Sequence, residues 1–130
     1  RATADAIARA ARAFSPSLRM CAPPGSVMER AALDAGLRVA REGFADRAYQ
    51  PDGSLVPRHV PGAMIVGVED VVTRAIGMAT ERRVVCIDGS VLPLEIDTIC
   101  VHGDTPGAPS LAAWLRAGLG SAGIDVTALA

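Results

Sequence analysis

Short apolar runs, each bounded by Pro or Gly, alternate along this chain with stretches of helical periodicity, and that alternation narrows the folds open to it. LRMCA (18–22), LRVAREGF (37–44) and DTICV (97–101) are brief and aliphatic enough to read as buried strands. Between them lie helical segments. Residues 2–13 are Ala-rich and end before Pro16, and Ser26 with Glu29 has the spacing of a capping box before a helix that Gly36 stops. Val68, Val71, Val72, Ala75, Ile76 and Ala79 trace one apolar stripe, with Glu69 and Asp70 in the first turn and Arg82 and Arg83 just past the last. AMIVG (63–67) is a further strand candidate. RRVVCIDGSVLPLEI (82–96) predicts a hairpin on a tight primed turn at Asp88-Gly89. A last helix is expected to begin at Pro106 with Thr105 as its cap, and to bury Leu111, Trp114 and Leu115. Strands alternating with helices imply an α/β fold with a largely parallel sheet.

The charge balance removes some partners. A net charge of −1 and a pI near 6.1 give no general attraction to nucleic acid or to anionic lipid, so neither is expected as a partner. No apolar run approaches the roughly 20 residues of a membrane-spanning helix. Cys21, Cys86 and Cys100 are odd in number, far apart and set in apolar runs, which fits a reducing cytosol better than a disulfide framework or a zinc knuckle. At 130 residues the chain is one domain or less. It opens as RATADAIARAARAF, without Met and already inside a helical pattern, so it is expected to be a piece of something longer.

In α/β folds the loops leaving the carboxyl ends of strands build the site, because helix N-termini and free backbone N–H groups converge there. Two loops have that place here. The first, FADRAYQPDGSLVPR (44–58), carries Asp46, Arg47, Tyr49 and Arg58 among turn-forming residues. Arg47 and Arg58 could each grip a carboxylate or phosphate through paired N–H donors, Asp46 could hold one guanidinium, and Tyr49 could add a hydroxyl. The PDG turn at 51–53 would fold the loop so that both guanidinium groups face one cavity. The same residues also suit a solvated loop whose Asp and Arg stabilise their own turn. In the second loop His102 and Asp104 flank Gly103, a set that could provide a base and its orienter, or ligate a metal, with Gly103 admitting substrate to the backbone. Equally, Asp104 or Thr105 could cap the next helix while His102 fills a polar notch. His59 reads as a solvent-facing loop residue. No GxxxxGK[ST], GxGxxG or GxSxG pattern occurs, and two histidines at 59 and 102 do not make a zinc site by spacing.

FADRAYQPDGSLVPR, followed by PGAMI and then by IDGSVLPLEIDTICVHGDTPGA, strongly resembles the LamB/YcsF family, in order and spacing, from the first helix to about Gly123. The resemblance implies part of a (β/α) barrel-like fold related to carbohydrate deacetylases, with residues 1–130 as the C-terminal portion of one barrel domain. The family's acidic N-terminal motif and its His-Ala-Gly-Asp and Lys-Pro-His-Gly segments lie upstream of the matched part, so this portion alone is expected to be inactive and weakly soluble. The implied activity is a cytoplasmic, bacterial 5-oxoprolinase, which opens 5-oxo-L-proline to L-glutamate with cleavage of ATP, bound as MgATP, and works with two further subunits, B and C. The family pattern carries onto Asp46, Arg47, Tyr49, Arg58, His102, Gly103 and Asp104. Of these, His102, Asp104 and Asp46 are the expected catalytic set, and Arg47, Tyr49, Arg58 and Gly103 the substrate-binding set, with no metal ligand assigned. Arg47 or Arg58 would receive the substrate carboxylate, or a phosphate developed on the lactam oxygen, while His102 and Asp104 handle protons. The alternatives are a metal-dependent, deacetylase-like hydrolase and a non-catalytic subunit that docks its partners.

Overall fold

The computed structural model describes residues 1–103 and 107–129, which form two compact units. The first comprises residues 1–43 and 96–98. Its elements are helix α1 (Ala2–Phe14), strand β1 (Arg19–Ala22), helix α2 (Val27–Asp34) and strand β2 (Arg38–Phe44, whose last residue belongs to the second unit). β1 and β2 pair in parallel, Arg19 opposite Arg38 through Ala22 opposite Arg41, in a three-stranded sheet of order β1-β2-β5 with β5 at Thr98–Cys100. Ala4 and Ala8 of α1 bury against Ala31 of α2, with Met28 and Ala35 around them; side chains this small let the helices approach closely.

Local signals in this unit act much as their sequence predicts. Ser26 Oγ accepts from the Glu29 N–H at 3.1 Å. The other half of the box differs: Glu29 Oε2 accepts from Gly25 N–H at 2.6 Å, because Ser26 N–H is already donated to Pro23 O. At the far end Gly36 takes φ +73°, its N–H donates to Leu33 O, and Leu37 N–H donates to Ala32 O. These are the two bonds of a Schellman cap. Asp97 bonds β2 in both directions, its N–H donating to Arg41 O and its carboxylate accepting from Arg41 N–H, both at 2.8 Å.

The second unit comprises residues 44–95 and 99–130. A long loop leads to helix α3 (Val68–Glu81), then strands β3 (Arg83–Val85) and β4 (Val91–Pro93), and finally helix α4 (Ala108–Ser121). β3 and β4 form the expected antiparallel hairpin, a sheet of its own, and the expected parallel pairing is seen in β1 and β2. AMIVG forms no strand; Met64 makes only an isolated bridge to Arg47. Asp88 keeps a negative φ, which rules out the expected primed turn. Instead Gly89, at φ +84°, donates to Cys86 O, and Cys86 N–H donates to Ser90 O. The loop at 50–54 repeats this device: Gly53 (φ +85°) donates to Gln50 O and Gln50 N–H to Ser54 O. In each, the Asp carboxylate accepts from both the N–H and the hydroxyl of the following Ser. Those bonds, from the Ser hydroxyl first and its N–H second, hold the Asp52 and Asp88 carboxyls below their ordinary pKa.

The second core has two parts. Ala48, Val56 and Ala63 cluster with Val60 and Ile65 inside the loop, and α3 buries Val71, Ala75 and Met78. α4 starts at Ala108, behind Gly107, and buries Ala108, Leu115 and Leu119. Thr105 and Pro106, the expected start, lie outside the described residues. Trp114 is 61% exposed, so it belongs to the outer side of α4 and not to its core stripe. α3 and α4 cross at Gly118, where an added Cβ would collide with Val72 Cγ1. Gly77, inside α3, has nothing within 4 Å of that position. Gly118→Ala is therefore expected to destabilise by about 1–3 kcal/mol through overpacking, outweighing its helix-propensity gain. Gly77→Ala is expected to stabilise by about 0.5–1 kcal/mol. Urea denaturation of the two variants in the full-length protein checks the opposite signs. Among the described residues no helix is long and apolar enough to cross a membrane.

Candidate functional site

β2 delivers Phe44 into the second unit, and the chain then turns at Asp46. Asp46 is 3% exposed. Its Oδ2 lies 2.9 Å from His102 Nδ1, and its Oδ1 is buried with no hydrogen-bond partner among the described residues. In the tautomer that carries its proton on Nδ1 the ring donates to Asp46 Oδ2, and Nε2 is the remaining ring nitrogen. The imidazole, partly exposed, stacks on the Phe44 ring with centroids 5.5 Å apart and planes 20° apart. A buried acid on one side and an aromatic face on another leave the ring little freedom to turn. The two loops singled out in the sequence thus meet, joined by the Asp46–His102 bond and the Phe44–His102 stack.

Arg47 has a different place from the one expected. It is 6% exposed, and its guanidinium donates to Val56 O at 2.7 Å and Ala63 O at 3.4 Å. These bonds to the loop's own carbonyls make it a strut between the two arms of residues 47–63. Tyr49 is 2% exposed, and its hydroxyl accepts from Phe44 N–H at 2.9 Å, pinning the start of the loop. Arg58 and Gly103 are exposed. Asp104 lies outside the described residues. His59 is exposed, as its proline-flanked position predicts. No group of three or more His, Cys, Asp or Glu gathers to hold a metal among the described residues.

Arg74 had no prominence in the sequence. It projects from α3, between the buried Val71 and Ala75, and donates Nε to Ala45 O at 3.2 Å, Nη2 to Arg47 O at 3.0 Å and Nη1 to Val85 O at 3.1 Å. Burial lowers its pKa, while the neighbouring Tyr49 and Cys86 oppose that shift. The only signal in the sequence was one cation inside VVTRAIGMA, a helix otherwise apolar at that point. Phe44, too, was legible only as the end of an apolar run.

The LamB/YcsF family profile matches residues 1–130. The chain is 48% identical over 128 residues to the 5-oxoprolinase A subunit of Methylococcus capsulatus, covering 98% of this chain and 49% of that protein. Its identity to the protein of the same name from Streptomyces griseus is 52% over 107 residues, covering 82% and 43%. Among solved structures it is similar to the lactam utilization protein from Thermus thermophilus, with a TM-score of 0.91, 42% identity, and coverage of 98% of this chain and 50% of that one. The chain spans about half the length of the curated relatives it matches.

Proposed function

This chain belongs to the LamB/YcsF family, and from that membership we propose that it forms part of the A subunit of an ATP-dependent 5-oxoprolinase, hydrolysing 5-oxo-L-proline to L-glutamate. The observation behind the chemistry is the buried Asp46 bonded to the Nδ1 of a partly exposed His102. Relatives named as the A subunit of 5-oxoprolinase, at 48% and 52% identity, support the substrate class. A (β/α) barrel completed by residues outside this chain, B and C subunits as partners, and a cytoplasmic location belong to the same proposal.

A lactam carbonyl is a poor electrophile, so opening it needs the carbon activated, a water oriented and the ring nitrogen protonated as the C–N bond breaks. In this reading His102 carries the proton steps. With Nδ1 held by Asp46, Nε2 takes a proton from the attacking water and returns it to the departing nitrogen, the water oxygen becoming part of the new carboxylate. Asp104, outside the described residues, is proposed as a second proton-handling group. Gly103, exposed and without a side chain, leaves the backbone open to a small ring. Exposed Arg58 is the proposed receiver of the substrate carboxylate, while Arg47 and Tyr49 act by holding the loop. ATP, with Mg²⁺, is proposed as co-substrate.

The test is glutamate release from 5-oxoproline by the full-length protein, with and without ATP and the proposed B and C subunits. Release that needs ATP and the partners is the expected result. Release without ATP that is abolished by chelation would replace this reading with a metal-dependent hydrolase. Loop substitutions that disrupt assembly and spare turnover would indicate a docking role.

A further inference from the structure

We propose that Arg74 is a positioning residue for Asp46, fixing from helix α3 the backbone that aims the carboxylate at His102. This rests on the Asp46–His102 pair being the proton-transfer unit proposed above. The acceptors Ala45 O and Arg47 O belong to the residues immediately before and after Asp46, so one guanidinium brackets it. The third acceptor, Val85 O at the end of β3, ties the same side chain to the hairpin. Asp46's own carbonyl is taken by Ile65 N–H at 2.9 Å, and the Arg47 guanidinium braces the loop behind it.

The base of Arg74 is rigid, because Val71 and Ala75 on either side are 1% and 0% exposed. The three carbonyls are met by three different nitrogens of one rigid plane, Nε, Nη1 and Nη2, whereas an ammonium offers its three N–H groups from a single point on a flexible stem and does not hold the same spread. No bond joins the Arg74 guanidinium to the Asp46 carboxylate among the described residues, so its influence runs through the backbone. A displacement of the carboxylate by about 1 Å would cost on the order of 100-fold in rate while leaving substrate contacts in place.

The experiment is a double-mutant cycle in the full-length enzyme with its partner subunits, reading ATP-dependent glutamate release. Arg74→Lys is expected to lower kcat by about 100-fold with KM changed by less than about 3-fold. In an Asp46→Asn background, itself slowed but measurable, the same substitution is expected to cost less than about 3-fold, because nothing remains to be positioned. An equal loss in both backgrounds, or no loss in the wild type, overturns the inference while leaving the proton-transfer reading standing. Full activity of Asp46→Asn alone would instead sink that reading, and this one with it. Should Arg74→Lys fail to fold, Arg74→Gln repeats the cycle, and failure of both to fold would make the residue structural and end the proposal.

Discussion

Replacing His102 with alanine is expected to cut ATP-dependent glutamate release by about 100- to 10,000-fold in the full-length protein, the range that a positioned acid-base group supplies. The variant also leaves the buried Asp46 carboxylate without its hydrogen-bond partner, so a loss of about 1–3 kcal/mol in stability is expected beside the loss in rate. His102→Gln, which keeps a polar side chain and cannot shuttle protons, should fall to the same level. Asp46→Asn probes the other half of the pair. Asparagine preserves the shape but can turn an amide donor toward Nδ1, favouring the tautomer that places the proton on Nε2, where the base must be free. Its loss should come in kcat. Steady-state kinetics on the three variants, alongside thermal melts, would show it, and wild-type turnover in His102→Ala would remove the imidazole from the chemistry.

Arg47→Ala should fail in a different way, through stability. Truncation removes donors to Val56 O and Ala63 O and leaves a hole beside the Ala48, Val56 and Ala63 cluster. Ala63 O keeps the Ala48 N–H, whereas Val56 O loses its donor, and a buried acceptor left without a partner costs about 1–3 kcal/mol, so a loss of about 2 kcal/mol is expected for the whole protein. Arg58→Ala, at an exposed position, should cost about 1 kcal/mol or less and act on KM. Denaturant melts with Michaelis–Menten kinetics on both variants separate the two arginines. An Arg47→Ala protein as stable as the wild type, with a raised KM, would return Arg47 to the role its sequence first implied.

These outcomes differ because the same loop chemistry has two kinds of consequence that primary order cannot rank. Asp46, Arg47, Tyr49 and Arg58 stand within thirteen residues and share a plausible affinity for a small anion. The fold buries the first three and leaves Arg58 exposed. Once buried, a guanidinium must find acceptors locally, and loop carbonyls are the nearest to hand. Arg74 lies 27 residues beyond Arg47 and has no spacing relation to the loop, so its clamp on Ala45 O and Arg47 O had no sequence counterpart. The expectation for Trp114 failed for a related reason: helical periodicity gives candidate faces, and packing covers the side of α4 that carries Ala108, Leu115 and Leu119.

Residue order was enough for the Ser26 cap and the Gly36 stop; it located the turn at Asp88-Gly89 but not its type, and the α3 helix but only part of its buried face, since Val68 and Ala79 are exposed and Met78 is buried. Each depends on residues within a few positions of one another, where backbone geometry and side-chain reach suffice. Family membership was legible in the same way, through long motifs in order. Folding in three dimensions was needed to bring Asp46, and not Arg47, to His102 across 56 residues of chain, and to set Arg74 against the loop. Such pairings follow from which polar groups are carried out of water together, and burial is a property of the packed whole.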